Sequence, residues 1–154
     1  MTKILMVCLG NICRSPLAEG LLKNKVNFTR FLVDSAGTSG SQRGEAPDPR
    51  SVKEANKHGI DITQQRSRAL TQEDFDTFDY IYVMDDANYH DVIKRAPSEE
   101  AKAKVIKILD ESFPGEGLNV PDPYYGGSMG FTNVYRMLDH ATTAIAKRLE
   151  QQEA

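Results

Sequence analysis

The chain has 154 residues, a formal net charge of −3, 40% apolar and 27% charged residues. That length suits one domain, read here as residues 1–154, and it can bury a core without disulfides or a structural metal. The slightly acidic balance argues against a nucleic-acid partner.

Two cysteines, Cys8 and Cys13, are too few and too close for an extracellular disulfide scaffold. The longest apolar run near the N-terminus, Ile4–Leu9, is too short for a signal-peptide core or a membrane span. A cytoplasmic protein with free thiols and no membrane association is therefore expected. Monomer and weak dimer both stay open.

In chain order, Ile4–Cys8 reads as a first buried strand, apolar and partly β-branched. Pro16–Phe28 follows as a helix with Leu17, Leu21, Leu22 and Val26 on one face. Phe31–Ser35 is a second strand. Arg50–His58 is a helix that ends before Gly59, a residue suited to a left-handed stop. Tyr80–Met84 is a third strand, Asp86–Arg95 a helix ended by Pro97, and Val105–Leu109 a fourth strand. A last helix carries Phe131, Val134, Tyr135, Leu138, Ile145 and Leu149, with Ala141 and Thr142 filling the one gap in an otherwise core-facing stripe. Strands alternating with helices predict an α/β domain with a four-stranded parallel sheet and helices on both faces. Ligands of such sheets bind outside the carboxyl ends of the strands, so the loop after Cys8 is the first place to look.

That loop reads Val7-Cys8-Leu9-Gly10-Asn11-Ile12-Cys13-Arg14-Ser15-Pro16. Ser15 suits an N-cap and Pro16 a first helical position. A loop curling into a helix N-terminus points several N–H groups at one spot, and the helix dipole adds positive potential, so a phosphate-binding loop is predicted. The same field favours a thiolate over a thiol, which makes Cys8 a candidate nucleophile. Arg14 can hold two phosphate oxygens with its planar fork. Asn11 suits a left-handed backbone position, and Gly10 permits close backbone approach. The alternative is a buried structural cysteine beside a capping serine; Cys-x5-Arg alone would be a weak pattern, but the ten-residue string on a strand–loop–helix is specific.

This string resembles the phosphate-binding loop of the low-molecular-weight protein tyrosine phosphatases. The likeness continues through Asp34-Ser35-Ala36-Gly37-Thr38, Asp48-Pro49-Arg50, Met84-Asp85 with Asn88, and Asp122-Pro123-Tyr124-Tyr125, in the family's order. The resemblance implies a phosphatase acting on phosphotyrosine in proteins or peptides through a cysteinyl-phosphate, without metal or other cofactor. It implies Cys8 as nucleophile and Arg14 as phosphate ligand, with Leu9, Gly10, Asn11, Ile12, Cys13 and Ser15 completing the loop. Ser15 would hydrogen-bond the thiolate, and Asn11 and Ser35 would brace the loop. Asp122 would be the general acid, on a loop stiffened by Pro121 and Pro123. Tyr124 and Tyr125 point different ways in an extended loop; one aromatic wall of the cleft and plain loop packing are the readings for each.

Two positions depart from the family. Ser41 stands at the other cleft wall, followed by Gln42, where an aromatic residue is usual. Gln65 stands near a position where many relatives carry a loop-bracing histidine; since Gln also donates and accepts, tuning rather than loss is expected. Cys13 either fills the loop interior or forms a reversible disulfide with Cys8 under peroxide. His58, His90 and His140 lack ligand spacing, so no metal site is expected. Arg43, Arg50, Arg66 and Arg68 read as charged surface. Other functions of the same fold are disfavoured. A thioredoxin-coupled arsenate reductase needs further cysteines, and relatives acting on phosphoarginine tend to have threonine where Ile12 stands. A phosphate-binding module without activity would be free to lose Cys8, Arg14 or Asp122, and all three are present.

Overall fold

Alternation along the first strand sets the architecture. β1 (Thr2–Cys8) turns Ile4, Met6 and Cys8 to one face and Leu5 and Val7 to the other, all of them buried. A strand apolar on both faces needs cover on both. In the computed structural model, which describes residues 1–125 and 127–153 without the side chains of Tyr125, Ser128 and Glu153, helices supply that cover. β2 (Phe31–Gly37) and β3 (Tyr80–Val83) flank β1 in parallel, and β4 (Val105–Lys107) pairs with β3, giving the order β2-β1-β3-β4. Against the Ile4/Met6 face pack α1 (Arg14–Lys23), α2 (Pro49–Asn56) and α6 (Ser128–Glu153). Against the Leu5/Val7 face pack α3 (Gln72–Thr77), α4 (Asp86–Arg95) and α5 (Glu99–Ala103).

The C-terminal stripe behaves as its spacing predicts: Phe131, Val134, Tyr135, Leu138, Ala141, Thr142, Ile145 and Leu149 are all buried. Gly59 adopts a left-handed φ of 75° just past α2, and Ile60 N–H closes the turn on the Ala55 carbonyl. Other boundaries move. α1 begins at Arg14, with Cys13 rather than Ser15 at its N-cap, and ends at Lys23. Pro16 still lies in the first turn, where its missing N–H leaves no bond unmade. Ser15 does not cap because its hydroxyl has partners inside the loop. β4 stops at Lys107, and Ile108–Asp110 tightens into a 3-10 turn. The short helices α3 and α5 carry too few turns for a periodic signal, although the Thr71 N–H bond to Asp74 and the Ser98 bond to Ala101 N–H mark their starts.

The chain runs from β1 outward to β2, then crosses back over β1 to β3. The carboxyl end of β1 is thus the point where the connections diverge, and a crevice opens there. Cys8 is the last residue of β1, with Gly37 as its partner at the end of β2. Close backbone approach occurs at Gly37 rather than Gly10. A Cβ on Gly37 would lie 2.8 Å from the Leu9 carbonyl oxygen and 3.2 Å from Asn11 N, whereas one on Gly10 would meet chiefly the flexible Gln42 side chain. Gly37→Ala is expected to cost about 1–3 kcal/mol in denaturant unfolding, as overpacking does, with Gly10→Ala much nearer wild type. Equal stability of the two variants would contradict this packing.

Candidate active site

The loop from Cys8 to Arg14 is closed by backbone bonds at both ends. Thr38 N–H and Ser39 N–H donate to the Cys8 and Leu9 carbonyls, and Asp48 N–H donates to the Ile12 carbonyl. Among the described residues Asn11 is the one non-glycine at positive φ, 56°, as its side chain allows. It is 2% exposed, so its amide must find partners within the protein.

Those partners fix a direction. Arg68 N–H donates to Asn11 Oδ1 at 3.0 Å, so Nδ2 has both hydrogens for other acceptors. It donates to Ser15 Oγ at 2.7 Å and Ser35 Oγ at 2.9 Å. Ser35 passes its own proton to Glu19 Oε1 at 2.6 Å. Ser15, already an acceptor, keeps its proton for Cys8 Sγ at 3.0 Å. The Ser15 N–H also faces that sulfur at 3.5 Å. Asn11, Ser15 and Ser35 thus form one buried hydrogen-bond network beside the Cys8 sulfur.

Arg14 is 2% exposed and comes from the first residue of α1. Its Nη1 donates to Asp85 Oδ2 at 2.6 Å and to the Val120 carbonyl at 2.9 Å. Its Nη2 lies 3.8 Å from Asp122 Oδ2. Asp122 Oδ1 accepts the Tyr124 N–H at 3.0 Å, an Asx turn that shapes its loop. Cys8, Leu9, Gly10, Ile12, Cys13, Arg14, Ser39, Ser41, Gln42, Asp122 and Tyr124 surround one cavity of about 240 Å³. Sulfur, guanidinium and distant carboxylate therefore converge.

The family model described as low molecular weight phosphotyrosine protein phosphatase matches residues 3–154. The chain belongs to this phosphatase family. A low molecular weight phosphotyrosine protein phosphatase of Schizosaccharomyces pombe is 43% identical over 146 residues, covering 90% of this chain and 92% of that one. A human protein of the same description is 39% identical, covering 94% of each. Among solved structures, a protein tyrosine phosphatase from Entamoeba histolytica, with Hepes in its active site, superposes with a TM-score of 0.90 at 37% identity over 100% of both chains.

Within this phosphatase fold, several residues do more than the sequence indicated. Arg50 is not plain surface: it holds Asp48 through two side-chain bonds, and its guanidinium lies 5.3 Å from the Tyr124 ring centroid and 4.6 Å from that of Phe131. It joins the phosphate loop to the Asp122 loop. Arg68 bridges Asp34 and Asp74 while its backbone orients Asn11. Asp85 and Glu19 join the site through Arg14 and Ser35. Asp85 carries a visible signal, an acidic residue at the carboxyl end of the third strand. Glu19 carries none beyond its place on α1. Gln65 does not join the Asn11 network; its Nε2 donates to the Pro16 carbonyl, and its buried Oε1 has no partner among the described residues.

Ser41 lines the cavity, its hydroxyl paired with Ser39 at 2.8 Å. Tyr124 lines it too and is half-exposed. The side chain of Tyr125 lies outside the described residues.

Cys13 differs sharply from Cys8 in its surroundings. Burial, then the Asp48 carboxylate, push its thiol up to about 12, and its Sγ–H points at Asp48 Oδ2 at 3.8 Å. A group raised this far stays protonated through the neutral range and reacts slowly with alkylating agents. One equivalent of iodoacetamide at neutral pH is therefore expected to label Cys8 and leave Cys13 intact, as read by peptide mass mapping. Preferential label on Cys13 would contradict the two environments.

Proposed function

We propose that this phosphatase removes phosphate from tyrosine side chains in two steps. Cys8 Sγ attacks phosphorus as the phenol oxygen departs, and Asp122 as its carboxylic acid protonates that oxygen. The bond formed is P–S; the bond broken is P–O. Asp122, now a carboxylate, then takes a proton from water. The hydroxide so generated attacks phosphorus, P–S breaks, and inorganic phosphate leaves.

The loop N–H groups and the Arg14 fork carry the phosphoryl charge, so positioning and electrostatics supply most of the catalysis. Asp85 and the Val120 carbonyl hold Arg14 in place. Ser15 gives its proton to sulfur as a hydrogen bond, which steadies the thiolate as a nucleophile in the first step and as a leaving group in the second.

The observation that carries this reading is the single cavity shared by Cys8, Arg14 and Asp122. The depth of the sulfur favours an aryl ester: Cys8 is 3% exposed while Leu9 beside it is 49% exposed. A phosphate must reach the bottom on a long rigid arm. Phosphotyrosine provides one, whereas phosphoserine holds the peptide backbone too near the phosphate. Tyr124 and Leu9 offer apolar contact to the ring; Ser39 and Ser41 add polar groups to the lining. Protein or peptide substrates, a cytoplasmic setting and free thiols belong to the same reading. No helix among the described residues is long and apolar enough to cross a membrane.

Redox control extends the proposal. Peroxide would oxidise Cys8 to a sulfenic acid; the Cys13 sulfur then attacks the Cys8 sulfur, the S–O bond breaks, and the hydroxide leaves as water with the Cys13 proton. The disulfide so formed would be reversed by an external thiol.

Purified protein is expected to hydrolyse an aryl phosphate and phosphotyrosine peptides without added metal, to be inhibited by vanadate, and to leave phosphoserine peptides intact. Cys8→Ser should abolish turnover, and Asp122→Ala should lower kcat by about 10²–10⁴-fold while still binding substrate. Normal turnover by Cys8→Ser would end the mechanism; preference for phosphoserine would end the substrate assignment.

A further inference from the structure

β4 ends on a lysine whose side chain turns inward. Lys107 is buried, and its ammonium donates to Asp86 Oδ1 at 2.7 Å and to the Gly117 carbonyl at 3.0 Å. A buried ammonium is unfavourable unless paired, and here both partners lie on segments that lead into the active site. Asp86 follows Asp85, the carboxylate that holds Arg14. Gly117 lies three residues before Val120, whose carbonyl also holds Arg14, and that strand of chain continues to Asp122.

Asn119 completes a clamp from the same segment. Its Oδ1 accepts the Asp86 N–H at 3.1 Å, and its Nδ2 donates to Asp86 Oδ2 at 3.3 Å. Val120 N–H then donates to the Met84 carbonyl at 2.8 Å. Lys107, followed by Asn119, holds the Asp86 carboxyl below the usual carboxylate range. Residues 113–119 are otherwise exposed and irregular, with Gly115 and Gly117 at positive φ. Such a segment has little intrinsic stiffness, so the bonds at its end determine where Asp122 is delivered.

We propose that Lys107, with Asp86 and Asn119, is a positioning site for the general acid, fixing the loop that carries Asp122 against the phosphate loop. The proposal rests on the assignment of Asp122 as that acid. Lys107 does not line the substrate cavity, so it acts only through the loop.

The test is kcat/KM across a series of aryl phosphates whose phenols differ in acidity. A poor leaving group needs the proton from Asp122; a good one departs with little help. Relative to wild type, Lys107→Met is expected to lose about tenfold on the poorest leaving group and Asn119→Ala about threefold, with losses under about twofold on the best. The inhibition constant for vanadate should not move, because the phosphate loop is intact. Asn119 is exposed, so its variant carries the test even if Lys107→Met fails to fold.

Loss spread evenly over the series, or no loss in the foldable variants, would overturn the positioning role if Asp122→Ala steepens the leaving-group dependence in parallel. A flat series for Asp122→Ala itself would remove the acid assignment and this proposal with it.

Discussion

The orientation of one buried amide organises the catalytic loop. Asn11 has its carbonyl oxygen occupied by the Arg68 backbone N–H, so its two amide hydrogens must go to Ser15 and Ser35. Glu19, as a carboxylate, accepts from Ser35 and offers no proton in return. Every donor in the chain then has an assigned direction, and the last free proton, on Ser15, faces the Cys8 sulfur. Reversing any link would leave a buried donor or acceptor unmet, at a cost of about 1–3 kcal/mol. The same bonds hold Asn11 in its left-handed conformation, which gives the loop its curvature.

The rest of the site is arranged by the sheet edge. Parallel pairing brings the ends of β1, β2 and β3 to one side, placing Cys8, Gly37 and the Asp85 that follows β3 in one neighbourhood. The cation this neighbourhood holds, Arg14, is 2% exposed. Its burial is tolerable because Asp85 and the Val120 carbonyl meet it with good hydrogen-bond geometry. Asp122 approaches the same guanidinium without closing a short bond, which leaves the carboxyl facing the cavity. Loops from three parts of the chain are tied together by arginines. Arg68 reaches from the segment before α3, Arg14 from α1, and Arg50 stacks between Tyr124 and Phe131 while gripping Asp48.

Much of this was legible in the chain. The strand positions followed from short apolar runs, and α4 from the stop at Pro97, because burial on two faces and a missing N–H act locally. Cys8, Arg14, Ser15 and Asn11 lie within eight residues, so their shared loop could be read directly. Ser15 reads as a cap from sequence because capping is a common local use of serine, and only the tertiary partners of its hydroxyl show another use. Arg50 and Arg68 read as solvated charge from sequence, since Tyr124, Phe131 and Asp34 lie far from them along the chain and only folding brings them together.

The sequence by itself, leaving aside the acid at Asp122 that only the family resemblance indicated, pointed to an α/β chain with parallel strands, a phosphate-binding turn after the first of them, and candidate types of nucleophile and anion ligand. These follow from periodicity and from side-chain chemistry, which the chain carries at each position. Tertiary structure alone decided which carboxylates face Arg14, which way the Asn11 amide points, and how Lys107 ties Asp86 to Gly117. Each of these joins residues brought together by strand order and loop closure, and hydrogen-bond direction is set by distance and burial, quantities that exist only once the chain has folded.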